Sequence, residues 1–271
     1  MSRVRARGPA VGRAPALLVV PAALAVLFLL VPLVALLART PWSDFFERLT
    51  EPAILDALRL SLETSLAALV IVVLIGVPLA WTLARVEFPG RTVVRAFVIV
   101  PLVLPPVVGG VALLTAYGRR GLVGGPVYDA FGFSLPFTTA AVVVAHAYVS
   151  LPFFVLSVEG ALRATNREYD VVAATLGASR WTTFLRVSLP LAGPGVLAGL
   201  VLGWARALGE FGATITFAGN YPGVTQTMPL LVYTRLQNDP DAAYALSLVL
   251  LAVSVVVLAL LRDRWLGQAA R

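Results

Sequence analysis

Arg206 and Glu210 stand four residues apart in a stretch that is otherwise apolar and glycine-rich. On a helix that spacing puts both charges on one face, where they can pair. Charges at membrane depth are costly and generally face a bundle interior or a water-filled route. Two readings follow: the pair lines or gates a route, or it is a structural ion pair that fixes two helices. Gly209 and Gly212 flank Glu210, Gly203 precedes it and Thr214 follows it. Small residues of this kind let helix backbones approach closely in membranes. Pro101, Pro105, Pro106, Gly109 and Gly110 form a second cluster. They break a helix there, and the break either exposes backbone to a pathway or is a kink that neighbouring helices absorb. His146 is the only histidine, and it is expected either to pack inside the bundle or to line the route.

The residues that are missing exclude most catalysis. All 21 basic residues are arginine, and cysteine is zero. Without lysine there is no P-loop, and Schiff-base chemistry is equally out of reach. One histidine and no cysteine leave no zinc or iron–sulfur set and no cysteine nucleophile. No catalytic residue and no metal ligand is assigned. A transport protein without its own energy source is passive, ion-coupled or driven by a partner.

The elements that must position these residues are apolar stretches. Hydrophobic residues make up 59% of the 271 and charged residues only 13%, against about 45–50% and 25% in soluble domains. Reading between charges and breakers gives an all-α, polytopic membrane protein. Its six spans are expected near residues 14–38, 64–84, 96–117, 138–158, 194–216 and 242–261. Each has roughly the 20 residues that a crossing needs. The first stretch is long for a signal peptide and is expected to be retained as a helix. Residues 1–13 and 262–271 are short tails around a single membrane domain, 14–261, with no soluble domain. With both tails on the cytoplasmic side, fourteen arginines lie inside and six outside, and Arg206 remains in the membrane. That bias favours cytoplasmic termini, so the net charge of +7 reports topology rather than a nucleic-acid partner. Arg119 and Arg120, on an outer loop, are either a solvated pair or a docking point for an outer protein.

Residues 159–190 form the largest inner segment and read as a short helix, a glycine turn and a second amphipathic helix. Gly177 can end the first helix in the left-handed region. Ala173 and Ala174 would leave that helix a smooth face for another protein's groove. Pro190 and Pro194 stop one helix and allow a new one. Nine residues separate Gly177 from Val187, which is followed by Ser188, Leu189 and Pro190.

That spacing resembles the Glu-Ala-Ala loop of permease subunits of ABC importers, whose pattern is Glu-Ala-Ala-x3-Gly-x9-Ile-x-Leu-Pro. Gly177, Leu189 and Pro190 match, and Val187 stands for isoleucine. Val171 holds the place of the acid, with Asp170 one residue earlier. Pro101-Leu-Val-Leu-Pro-Pro106 with Gly109-Gly110, then Gly118-Arg-Arg-Gly121, is similar to oxyanion permeases. Ala205-Arg-Ala-Leu-Gly-Glu-Phe-Gly-Ala-Thr214, Ile-Thr-Phe-Ala-Gly-Asn220, Thr225-Gln-Thr-Met-Pro229 and Tyr233 are similar to the molybdate/tungstate group, with sulfate permeases as near relatives. The likeness covers residues 64–261.

What the resemblance implies is a type I ABC importer permease of the bacterial or archaeal cytoplasmic membrane. It would act as a homodimer with two ATPase subunits inside, which bind ATP and Mg, and an oxyanion-binding protein outside. The chain itself would bind no cofactor. Asp170, Ala173, Ala174, Gly177, Val187, Leu189 and Pro190 would form the ATPase-coupling loop. Arg206, Gly209, Glu210, Gly212, Thr214, Pro105 and Pro106 are the candidate pathway or gate. The alternatives are a sulfate/thiosulfate permease of the same machine and a stand-alone secondary transporter or channel.

Overall fold

The computed structural model describes the backbone of residues 16–269 and the side chains of residues 17–256. The expected N-terminal tail, residues 1–13, and residues 270–271 of the C-terminal tail lie outside the described residues. Helices account for the regular structure, with no strand among the described residues. In order they are α1 (Ala16–Arg39), a single turn α2 (Phe45–Arg48), α3 (Pro52–Arg85), α4 (Arg91–Val103), α5 (Pro106–Tyr117), α6 (Gly124–Phe131) and α7 (Thr139–Ala164). The segment expected to couple follows as α8 (Glu168–Thr175), α9 (Arg180–Thr183), a π-helical turn (Phe184–Ser188) and α10 (Leu189–Leu191). Then come α11 (Gly193–Leu208), α12 (Gly212–Phe217), α13 (Met228–Asn238) and α14 (Pro240–Ala269).

Three helices, α1, α3 and α7, are long and apolar enough to cross a membrane singly, and the count rises to five if each of two bent pairs is one crossing. The backbone of α14 is also helical throughout the sixth expected span. The span expected at 64–84 is the C-terminal part of a longer helix. Pro52 sits at the start of α3, where its missing amide costs nothing, and Arg59 bonds Glu63 one turn on at 2.6 Å. Nothing interrupts the helix between them, so α3 runs for 34 residues, about 50 Å.

The spans expected at 96–117 and 194–216 are not straight. Between α4 and α5 the axis turns by 118°. Leu104 and Pro105 each precede a proline, which pushes both out of the helical region, and both have ψ near 135° (135° and 134°). Pro101 stays inside α4, so the break belongs to the Pro105-Pro106 pair. The fifth expected span stops at Leu208 and resumes at Gly212. Before it, the helix from Arg180 to Leu191 meets α11 at 70°.

At the centre of the bundle, α7 packs along α3 on one side and α11 on the other. Phe154 of α7 is fully buried. Its ring lies between two glycines: a Cβ at Gly76 would come within 2.7 Å of it, and a Cβ at Gly199 within 3.1 Å. Gly195 and Gly203 share the face of Gly199, and a Cβ at Gly195 would overlap the side chain of Ala161. Glycine every fourth residue thus brings α11 onto α7 at near backbone contact, as small residues do between membrane helices.

Gly199→Leu is expected to destabilise the purified protein by roughly 1–3 kcal/mol through overpacking against Phe154, read as a fall in thermal midpoint in detergent. Gly160→Ala, where no neighbour lies within 4 Å of the added carbon, should leave the midpoint unchanged or slightly raised.

Candidate translocation site and coupling loop

The two helix breaks meet. A Cβ on Gly212 would lie 2.8 Å from Pro106 Cβ and 3.1 Å from the Val107 nitrogen. One turn along α5, Gly110 is pressed against Ala213 and Thr216 in the same way. The start of α5 and the start of α12 are therefore locked together by glycine on each side.

Glu210 stands at this junction with 1% of its side chain exposed. One carboxylate oxygen, Oε2, meets Arg206 Nη1 at 2.5 Å. The other, Oε1, accepts a hydrogen bond from the Ala213 amide at 2.7 Å. The same side chain thus neutralises the arginine and satisfies an amide that the interrupted helix leaves without an internal partner. Arg206 keeps 28% exposure on its side chain. Gly209, Pro105 and Pro106 are exposed, whereas Gly212 and Thr214 are buried. Gly209 also borders a 370 Å³ cavity against Pro229, Val232, Ser247 and Leu250. His146 is buried and both ring nitrogens lack a hydrogen-bond partner, as does the buried Thr214 hydroxyl. The stretch from Thr225 to Met228 is tucked inside as well, with the Met228 amide donating to Ser61 Oγ of α3 at 2.7 Å.

At the arginine-rich end, α8 closes on Gly177 at φ +83°. The Ala178 amide donates to Ala173 O and the Gly177 amide to Ala174 O, each at 3.0 Å, the paired bonds of a glycine-terminated helix. Ser179 Oγ then accepts from the Thr182 amide at 3.1 Å and caps α9. The motif spacing thus brackets one helical segment, with Gly177 before it and Leu189-Pro190 at its far end. Pro190 has no amide to donate, and the turn preceding it is π-helical.

Of the two alanines of α8, Ala174 is exposed and Ala173 is half-buried. Asp170 points inward, and Ala174 borders a 530 Å³ cavity with Asp170, Arg85 and Ser188. The large apolar side chains exposed here are Tyr169, Val171, Val172 and Leu176. Around this cavity lies an ion network for which the sequence reading has no counterpart. Arg85 Nε lies 3.2 Å from Asp170 Oδ2, and Ser188 Oγ donates to Asp170 Oδ1 at 2.9 Å. Glu159, 1% exposed, holds Arg163 at 2.7 Å and Arg95 at 3.5 Å. Arg163 and Arg167 donate to the last carbonyls of α3, Leu83 O at 3.3 Å and Ala84 O at 3.2 Å. The i,i+4 spacing of Glu159 and Arg163 was the available signal. The long-range partners Arg85 and Arg95 carried none.

At the opposite end, Arg48 bridges Asp44 and Asp239, each at 2.9 Å. The Asp44 carboxyl is held below its ordinary value by hydrogen bonds from Ser43 and then Arg48. The Asp239 carboxyl is lowered by the Ala242 amide and then Arg48. Arg119, from the expected outer pair, stacks on the Tyr128 ring at 4.0 Å.

A helical bundle with two helices broken at a shared junction and a capped helix at one end has the build of a membrane transport subunit. Residues 73–269 match the family described as the binding-protein-dependent transport system inner membrane component, and the chain belongs to that family. The molybdenum transport system permease protein ModB of Mycobacterium tuberculosis (strain ATCC 25618 / H37Rv) is 52% identical over 239 residues, covering 88% of this chain and 89% of that protein. The sulfate transport system permease protein CysT of Escherichia coli (strain K12) is 37% identical over 236 residues, covering 86% and 85%. Among solved structures, a bacterial ABC transporter involved in import of the acidic polysaccharide alginate aligns with a TM-score of 0.73 at 19% identity, covering 92% of this chain and 93% of that one. The fold is that of ABC importer permeases.

Glu210→Ala should lower the thermal midpoint more than Glu210→Gln. Glutamine keeps an acceptor for the Ala213 amide, whereas alanine leaves that buried donor unpaired at a cost of roughly 1–3 kcal/mol. A second test concerns acid. Because the Asp239 carboxyl is depressed below 3.8, its contribution is present above that value and lost as pH falls through the lower folded value. The difference in thermal midpoint between the native protein and Asp239→Asn should therefore shrink on acidification below about pH 4.

Proposed function

We propose that the chain carries molybdate, or tungstate, into the cytoplasm as the permease subunit of an ATP-driven importer. The 52% identity to a molybdenum permease across 88% of the chain is the observation that carries the choice of substrate. The sulfate permease relative, at 37%, favours sulfate or thiosulfate less. In this reading two copies pair across one pathway, with six crossings in each copy and both termini cytoplasmic. The arginine-rich end faces the cytoplasm, the orientation that the positive-inside bias favours.

There α8 meets one of two ATPase subunits, which bind ATP and Mg. Tyr169, Val172 and Leu176, exposed and apolar, are suited to a groove on that partner. An extracytoplasmic oxyanion-binding protein delivers the anion at the other end. The exposed Pro105, Pro106 and Gly209, together with the partly exposed Arg206, face the second copy and line the route. Arg206 supplies the positive charge that meets the anion, and buried Glu210 fixes its position. Closure of the ATPase pair moves the α8 helices and rocks the two copies between inward-facing and outward-facing states.

Vesicles holding the permease, its ATPase and its binding protein should accumulate labelled molybdate only with ATP. Excess tungstate should compete and excess sulfate should not. Vesicles holding the permease alone should accumulate none, and uphill uptake by them would overturn the reading in favour of a stand-alone transporter. Arg206→Ala is expected to lower uptake while the complex still assembles, and full uptake by the Arg206→Ala/Glu210→Ala double variant would remove the pair from the route.

A further inference from the structure

We propose that the Arg85–Asp170 pair is the joint through which a displacement of α8 is passed to α3, and that Asp170 acts within this chain rather than on the ATPase. The proposal rests on the reading above, in which α8 is the element that the ATPase moves. It concerns what happens after that contact is made.

Three observations carry it. Asp170 is on the inner face of α8, with one oxygen held by Ser188 at 2.9 Å and the other 3.2 Å from Arg85. The large apolar side chains that a partner could reach on α8 and its C-cap, Tyr169, Val171, Val172 and Leu176, are 57%, 60%, 55% and 82% exposed, against 24% for the Asp170 side chain. Arg85 is the last residue of α3, its side chain is only 8% exposed, and its Nη2 donates to Thr165 Oγ1 at 2.6 Å. One guanidinium therefore ties the end of α3 both to α8 and to the connection between α7 and α8.

The packing explains why this contact matters more than its neighbours. The cavity beneath α8 is bordered by Arg85, Asp170, Ala174, Arg180 and Ser188. The small Ala174 fills little of that space, so van der Waals contact between α8 and the bundle is thin there. Force on α8 must pass through whatever spans the gap, and the side chain of Asp170 does so in both directions: to α3 through Arg85 and to the segment leading into α11 through Ser188. Arg163 and Arg167 also reach the end of α3, but through carbonyls of the helix itself and from positions before α8. Arg163 fixes α7 to α3, and Arg167, the N-cap of α8, adds a tie to the α3 backbone beside the Asp170 joint.

Asp170 is thus a positioning residue for transport, and its loss should separate ATP hydrolysis from movement of the anion. The experiment uses the complete transporter in vesicles, with ATPase co-purification, ATP hydrolysis and labelled molybdate uptake measured on the same preparation. Asp170→Asn should retain the ATPase and hydrolyse ATP, with molybdate moved per ATP reduced about tenfold, a typical size for a coupling free energy. The swap Arg85→Asp with Asp170→Arg should recover most of that ratio.

A second variant controls for folding. The chain has no cysteine, so Arg85→Cys with Asp170→Cys can be bridged by a short cleavable thiol cross-linker. Coupling should be present when the link is intact and lost when it is cleaved in the same sample. An unchanged ratio in Asp170→Asn, or a cleaved link that leaves the ratio as it was, would overturn the joint. Loss of the ATPase from Asp170→Asn without recovery in the swap would also overturn it and would place Asp170 on the partner. If the native chain fails to retain an ATPase at all, it is the importer reading that fails.

Discussion

Every interruption of a helix inside an apolar layer leaves amides and carbonyls that must find partners without water. That requirement governs the interior of this chain, because the most consequential residues lie where helices stop. α11 ends at Leu208 and α12 begins at Gly212. Glu210, between them, gives one oxygen to an amide of the new helix and the other to Arg206. A carboxylate buried to this degree is tolerable only because both of its demands are met. The charge pair and the helix break are therefore one feature, since neither is stable there without the other.

The same constraint shapes the partner break. Two successive prolines force Leu104 and Pro105 into extended conformations, and the chain turns sharply before α5. The exposed turn is then closed from the side by α12, which can come near only because Gly110 and Gly212 lack side chains. Deeper in the bundle, Phe154 sits between Gly76 and Gly199 on the same principle. Without a hydrophobic drive between helices in lipid, close packing of this kind is what holds them together. Gly76, Gly110, Gly199 and Gly212 thus serve contact between helices, whereas Gly177 serves a turn at positive φ.

Much of this was legible in the sequence, for reasons that differ by element. The apolar stretches announced the helices because their length is set by membrane thickness. Pro105-Pro106 announced a break, since a residue before proline leaves the helical region whatever surrounds it. Gly177 and Leu189-Pro190 marked the ends of a helical segment for the same local reasons. The 70° bend ahead of α11 was marked by Pro190 and Pro194, whereas the break at Gly209 carried a weaker mark. The ring of ion pairs around Glu159, Arg85 and Asp170 was not legible. Its members lie up to 85 positions apart, and a lone arginine at the end of a membrane helix looks the same whether it meets a lipid headgroup, water or an acid. The spacing of Gly195, Gly199 and Gly203 was in plain view, but it points to a contact without naming the partner helix.

One element reaches both ends of the molecule. α3 begins beside Glu51, which holds Arg235 of α13 at 2.7 Å. A few turns in, Ser61 accepts the Met228 amide, and 24 residues later Arg85 meets Asp170. Between these points α3 is unbroken, with Pro78 inside it, and it packs along α7. A continuous helix transmits displacement along its axis far better than the broken α4–α5 or α11–α12 pairs can. The broken pairs, by contrast, expose backbone at Pro105, Pro106 and Gly209 and part of the Arg206 side chain. The division follows from which helices the sequence interrupts: α3, uninterrupted, carries polar ties at both of its ends, and the interrupted pairs meet each other at Pro106, Gly110 and Gly212.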